Sequence, residues 1–294
     1  MGYMPVITNM AAPILDHVSK KESDIYFKAL KFNSFAEMAE ALRNDEIQAA
    51  FMIAPLSVVL RQQGVDIKVV YIGNRHESTL VAKKELKVKS IQDLAGKTIA
   101  VPMRYSGHNI SLLELMEQNN LAGQINIVEM NPPDMASAMV AGALDAYYVG
   151  EPFAAQSLKN GSAELVFYVE EVWKSFICNL VIVKQSLIEE DQETVQKLVH
   201  GAVRSGIWAG KHLDEAAQIA ARYWSQPVEL VQYALNTERT IVDQFTPKIE
   251  EMQEIADLMV KHSLIDVDTI EGLVDDQFAR SVKVDDVEVL DDIL

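Results

Sequence analysis

The stretch TIAVPMRYSGHNISLLELMEQNN, residues 98–120, holds the side chains best spaced for chemistry. An apolar run to Val101, then a short loop with Ser106 and Gly107, predicts a strand leading into a helix that opens near His108 and Asn109. Such a turn aims backbone N–H groups and the positive helix end at whatever lies above it, which is the chemistry of anion binding. Arg104, Ser106 and His108 add side-chain donors. An ordinary strand-to-helix connection capped by Ser or Asn explains the same residues equally well.

Other catalytic patterns are absent. The sequence has no GxSxG, HExxH or P-loop, and no GxGxxG following a strand. The remaining histidines, His17, His76, His200, His212 and His262, are scattered, mostly in or beside predicted helices, where a solvated surface role is the simpler reading. Glu170-Glu171, Glu189-Glu190, Asp275-Asp276 and Asp285-Asp286 are sequence neighbours. Residues one apart do not share a helix face, so these pairs read as solvated charge rather than acid–base dyads. Cys178 is the only cysteine, which excludes an internal disulfide and a cysteine-built zinc site. The tail SVKVDDVEVLDDIL alternates acidic and apolar residues and is given no role.

The elements that position these residues alternate through the first two thirds of the chain. VITNM, IYFKALKF, AAFMI, KVVYI, STLVAK, TIAVP, INIVEM, AYYVG, ELVFYV and NLVIVKQ read as strands. Between them, FAEMAEALRND, SVVLRQQG, NISLLELMEQNN, MASAMVAGA and PFAAQSLKNG read as helices, several stopped by Gly or Asn. This order predicts an α/β class with mainly parallel sheets. From Glu189 onward the strands vanish and amphipathic helices follow, with turns at Ser225-Gln226-Pro227 and Thr246-Pro247. No Pro/Gly/Ser-rich linker separates independent domains. Two lobes sharing the chain are therefore expected, residues 1–84 with 179–294 and residues 85–178, crossed at the hinge-like stretches STLVAKK and NLVIVKQ.

Length and charge narrow the function classes. A chain of 294 residues, 49% hydrophobic, can bury a large core and suits two domains. Its net charge of −17, with no Lys/Arg-rich run, makes nucleic acid and anionic membranes poor partners. No stretch approaches the roughly 18 consecutive apolar residues of a membrane span. The start, MGYMPVITNM, lacks the charged and apolar regions of a secretion leader.

At this point the residues carry a resemblance. VPMRYSGHNISLLELMEQNNLAG followed by NPPDMASAMVAGALDAYYVGEPFAAQSL resembles the solute-binding proteins of the nitrate, sulfonate/taurine and bicarbonate class of ABC importers. Pro132-Pro133-Asp134-Met135, Gly142-Ala143-Leu144-Asp145-Ala146 and Gly150-Glu151-Pro152-Phe153 fall in that class's order, and KFNSFAEMAEALRNDEIQAAFMIAPLSVVL resembles its first lobe. The resemblance spans about residues 5–185 and implies a two-lobed periplasmic-binding-protein-like fold of type II, with two chain crossings and a helical C-terminal segment. It implies a non-catalytic monomer without cofactor or metal, serving an ABC permease and ATPase outside the cytoplasmic membrane, periplasmic or membrane-anchored, with its leader absent from this sequence. The implied ligand-facing set is Asn9, Phe35, Ala54, Glu77, Ser106, His108 and Glu151, with Phe35 in place of an aromatic that packs over the ligand. His108, expected on a loop outside the core, is the residue whose loss should weaken binding without disturbing the fold.

Departures from the class bear on the solute. Nitrate-type members carry a lysine where this chain aligns Cys178, with Lys174 earlier, and a Gln where it has Glu77. Losing a cation and gaining a carboxylate disfavours bare nitrate or bicarbonate. The expected solute is a small polar molecule, anionic or sulfonate-like, with an amine- or ring-bearing compound also credible. An enzyme on the same fold, like the thiamine-pyrimidine synthases, lacks its cysteine-rich motif here; an importer-independent ligand sensor is the third option.

Overall fold

The computed structural model describes residues 1–22, 25–236 and 239–294. Near the N-terminus, β1 (Gly2–Tyr3) and a 3-10 turn at Ile7–Asn9 precede α1 (Ala11–Glu22). The first lobe continues with β2 (Leu30–Lys31), α2 (Phe35–Arg43), β3 (Ala49–Ile53), α3 (Ala54–Gln62) and β4 (Ile67–Arg75). Every residue of β3 is buried, as a continuous apolar run in a covered sheet requires. Ser34 stops fraying of α2 by accepting a hydrogen bond from the Glu37 N–H.

A second unit follows. It comprises β5 (Ser78–Lys83), β6 (Thr98–Val101), α4 (Gly107–Gln118), β7 (Asn126–Glu129), α5 (Pro132–Val140), β8 (Ala146–Gly150), α6 (Phe153–Lys159), β9 (Ala163–Tyr168) and α7 (Val169–Val172). The chain then returns through β10 (Ile177–Lys184) to the helices α8 (Gln185–Glu190), α9 (Gln192–Lys211), α10 (Leu213–Trp224), α11 (Val228–Leu235), α12 (Ile249–Lys261) and α13 (Gln277–Arg280).

Two five-stranded sheets result, in the orders β2-β1-β3-β10-β4 and β7-β6-β8-β5-β9. The fold is thus the two-domain α/β arrangement expected, but its sheets are mixed rather than mainly parallel. The reason is specific. β10 runs antiparallel to β3 and β4, and β5 runs antiparallel to β8 and β9, so the strands flanking the crossings reverse direction in each sheet.

The change of sheet falls at residues 75–78, ahead of STLVAKK, because β5 already pairs within the second sheet. The return falls between α7 and β10. At the first crossing His76 and Glu77 both take left-handed backbone angles, φ 65° and 61°, which cost a non-glycine residue energy and make an abrupt turn. A third segment bears on both sheets: Arg239 hydrogen-bonds the Ser78 carbonyl of β5, while Ile241 N–H donates to Asn74 Oδ1 and Ile72 N–H to the Phe245 carbonyl of the first sheet's side.

Apolar packing joins these parts. One cluster spans both sheets and includes Val6, Phe35, Ile53, Ile110, Val149 and Phe153; another covers the opposite face of the first sheet with α1, α9 and α10. Gly201 permits the close approach of α9 to α1, since a Cβ there would lie 2.6 Å from Leu15. The acidic tail docks on α9: Arg204 donates to the carbonyls of Asp292 and Lys283 and to Asp286, while Val287 and Ile293 are buried.

Candidate functional site

Short segments from both sheets meet at the crossings: the Ile7–Asn9 turn, residues 74–79, the start of α4, the end of β8, and the start of β10. Glu151 is their node. Its N–H donates to the Glu77 carbonyl at 3.0 Å and its own carbonyl accepts from Ile7 N–H at 2.8 Å. Its carboxylate accepts from Thr79 Oγ1 at 2.8 Å and from Ala155 N–H, near the start of α6, at 2.7 Å. Burial pushes the Glu151 carboxyl above the usual range, opposed by those two hydrogen bonds. The Glu151-Pro152 peptide is cis.

Around that node runs a buried polar chain. Asn179 Nδ2 donates to Thr8 Oγ1, and Thr8 Oγ1 and Ser78 Oγ lie 3.5 and 3.7 Å from Cys178 Sγ. Ser78 Oγ lies 2.8 Å from His108 Nε2, and the imidazole meets Tyr148 and Phe176 edge-on, with centroids 5.2 and 5.8 Å away. Burial holds His108 down to about 3, so it is neutral at physiological pH, and pushes the Cys178 thiol up to about 11.

Of the expected ligand-facing set, Asn9, Glu77, Ser106, His108 and Glu151 lie on these converging segments, all buried. Phe35 and Ala54, opening α2 and α3, belong to the apolar cluster that spans the sheets. His108 lies in the first turn of α4 and is 3% exposed, so it is a packed residue rather than a loop residue. The start of α4 is also less open than a bare helix end: Ser106 Oγ accepts from Asn109 N–H, and the Phe176 ring lies against Gly107. Arg104 is exposed, its N–H donating to Glu129 and its guanidinium over the Tyr105 ring, so its side chain is not among the site's donors.

Sequence reasoning missed Thr8, Ser78, Thr79, Asn179 and Arg239. Arg239 grips Glu170 with two hydrogen bonds of 2.5 and 2.8 Å, donates to Thr79 Oγ1 and the Ser78 carbonyl, and stacks over Tyr168 at 3.6 Å. Ser78 and Thr79 are the polar, buried opening of an otherwise mostly apolar strand, a signal that could have found them; nothing local marks Arg239.

Among the described residues, one group could offer metal ligands: Glu114 and Glu117 of α4 with His262, their ligand atoms within 4.8 Å of one another. Lys261 already supplies the positive charge there, 2.5 Å from Glu114 and 2.7 Å from Glu117, and the cluster ties α4 to the end of α12. No helix of the described residues is long and apolar enough to cross a membrane.

The chain is 29% identical over 193 residues to the taurine-binding periplasmic protein of Escherichia coli (strain K12), a match covering 64% of this chain and 59% of that protein. The ligand-binding component of an ABC-type import system from Staphylococcus aureus, solved with zinc bound, superposes with a TM-score of 0.86 at 21% identity, covering 96% of this chain and 97% of that one. The fold also extends to a desulfurization enzyme, DSZB, at a TM-score of 0.58 and 13% identity over 97% of this chain and 96% of that one. The sequence model of the NMT1-like family matches residues 1–224, and the chain belongs to that family.

Proposed function

We propose that this protein is the solute-binding component of an ABC importer: a monomeric clamp outside the cytoplasmic membrane that captures a small polar organic solute between its lobes and delivers it to a membrane permease and its ATPase. The observation that carries this reading is the convergence of segments from both sheets on the crossings, where Glu151 bonds Ile7 of one side and Glu77 at the turn between them. A solute held there touches both lobes at once, and only such contacts favour closure. Likeness to a taurine-binding protein and to an importer's binding component supports the same reading.

Capture without conversion fits the chemistry of the cluster. A thiol pushed up to about 11 supplies almost no thiolate at neutral pH, and His108 is engaged with Ser78 rather than poised beside a nucleophile open to solvent. A desulfurization enzyme shares the fold, so turnover needs its own test.

Native mass spectrometry of the purified protein, joined to a thermal-shift screen of sulfonates, oxyanions and amines, tests the proposal. A true solute at one hundred times its dissociation constant stabilises the fold by about 2.7 kcal/mol. Small-angle scattering should show compaction on binding. A solute recovered chemically altered, at a rate scaling with protein, would establish an enzyme instead.

A further inference from the structure

Three buried polar atoms at the crossings have no hydrogen-bond partner among the described residues: Asn9 Oδ1, Asn179 Oδ1 and His108 Nδ1. The amide orientations follow from their other ends. Asn9 Nδ2 donates to the Met4 carbonyl at 3.1 Å and Asn179 Nδ2 donates to Thr8, so each side chain turns its acceptor oxygen away from those contacts. Buried amide oxygens left without a donor are costly, which makes Asn9 Oδ1 and Asn179 Oδ1 marks of a missing partner.

These atoms belong to one neighbourhood. Asn9 follows Thr8, Thr8 accepts from Asn179, Cys178 lies beside Ser78, and Ser78 bonds His108. The carboxylates of Glu77 and Glu151 are buried in the same neighbourhood. Of the cations that reach it, Arg75 pairs with Glu251 at 2.9 Å, while Arg239 pairs with Glu170 and its charge also acts on Glu77 and Glu151. Phe176 and the Ser106 cap cover the start of α4, the group that would welcome an anion. The unpartnered amide atoms of this neighbourhood, Asn9 Oδ1 and Asn179 Oδ1, are both acceptors.

We propose that the captured solute presents an N–H donor group, an ammonium, amidinium or ring amino group, to Asn9 Oδ1 and Asn179 Oδ1, rather than an oxyanion to the start of α4. This deepens the solute-binding proposal and rests on it. A sulfonate satisfies the site only if it also carries an amine, and nitrate, which has no donor, does not satisfy it at all.

The test compares matched probes that differ by one amino group: 2-aminoethanesulfonate with ethanesulfonate, β-alanine with propionate, and 2-aminopyridine with pyridine, alongside nitrate and bicarbonate. Thermal shift and calorimetry on the wild-type protein should find at least one amino member that binds at least tenfold more tightly than its partner. Asn179→Leu, checked for retained fold by circular dichroism, should lower that member's affinity about tenfold. Any molecule that co-purifies, identified by native mass spectrometry, should carry an N–H donor. Equal affinities within every pair, or binding of donor-free anions alone, would overturn the inference while leaving solute capture standing. No binding by any probe and no co-purified molecule would bring down both.

Discussion

His108 and Ser78 are joined by a 2.8 Å contact between Nε2 and Oγ, which fastens the first turn of α4 to the first residue of β5. The bond lies in a dry place, with Tyr148 and Phe176 edge-on to the imidazole. Burial therefore pushes the histidine down to about 3, below its unfolded value near 6.5.

That shift has a sign. Between those two values the unfolded chain binds a proton that the folded one refuses. The stability linked to His108 is complete above about pH 6.5 and is lost progressively as pH falls toward 3. In urea melts, His108→Gln should flatten the fall in stability between pH 6 and pH 4 by up to one proton, about 1.4 kcal/mol per pH unit. Parallel profiles for the two proteins would show that the imidazole takes up its proton as readily in the fold as in the unfolded chain.

Glu151 pulls the other way. Its folded pKa is raised, chiefly by burial, so the folded state holds the proton longer than the unfolded one. Its contribution is fullest below the ordinary carboxylate range and declines as pH rises through the raised value. Glu151→Gln keeps an acceptor for Thr79 but turns an amide N–H₂ toward the Ala155 N–H that the second carboxylate oxygen now satisfies. The variant should lose about 1 to 2 kcal/mol in acid, where Glu151 is itself neutral, and lose less or nothing toward alkaline pH. A constant deficit across pH 4 to 8 would refute the raised value.

Much of this was legible in the sequence, and the omissions have physical causes. AAFMI is β3, NLVIVKQ lies in β10 up to Lys184 with Gln185 opening α8, and FAEMAEALRND has the 3.6-residue period of α2. VITNM is apolar too, but it folds as a 3-10 turn whose Asn9 N–H returns to Val6, and of IYFKALKF only Leu30 and Lys31 pair as an edge strand. Helix α1 went unread although its Pro13 sits in the first turn, where a missing N–H is harmless. Asn9, Glu77, Ser106, His108 and Glu151 could be gathered because the family resemblance implied that these strand ends and helix starts converge. Arg239 could not, because its partners Ser78 and Glu170 are brought to it by the path of a connecting segment that no periodicity describes.

Cys178 offers a probe of that crossing without altering it. The thiol is buried among Thr8, Ser78 and Asn179 and pushed up to about 11. Both access and thiolate fraction are thus low. An aromatic disulfide reagent at pH 8 should react with the native protein at least a hundredfold more slowly than with the urea-unfolded chain, and more slowly again with solute bound. Native reaction as fast as unfolded would mean that the crossing opens readily.

Arg239 allows the most direct test of how the connecting segment holds the two sides. Its guanidinium makes a two-pronged grip on Glu170, two further hydrogen bonds to β5, and a stack on Tyr168, while Ile241 and Phe245 just beyond it bond to Asn74 and Ile72. Removing it strands a partly buried carboxylate and frees the segment from the second sheet. Arg239→Ala should cost about 3 kcal/mol, as breaking one side of a buried pair does. Lysine restores the charge but neither the fork nor the planar stack, so Arg239→Lys should recover less than half of that loss. A double-mutant cycle with Glu170→Gln should return a coupling of about 1 to 3 kcal/mol. If the two sites are additive, the grip is not what fastens the segment; if they couple, small-angle scattering of Arg239→Ala should also show a larger mean radius than wild type, because one of the ties between the lobes is gone.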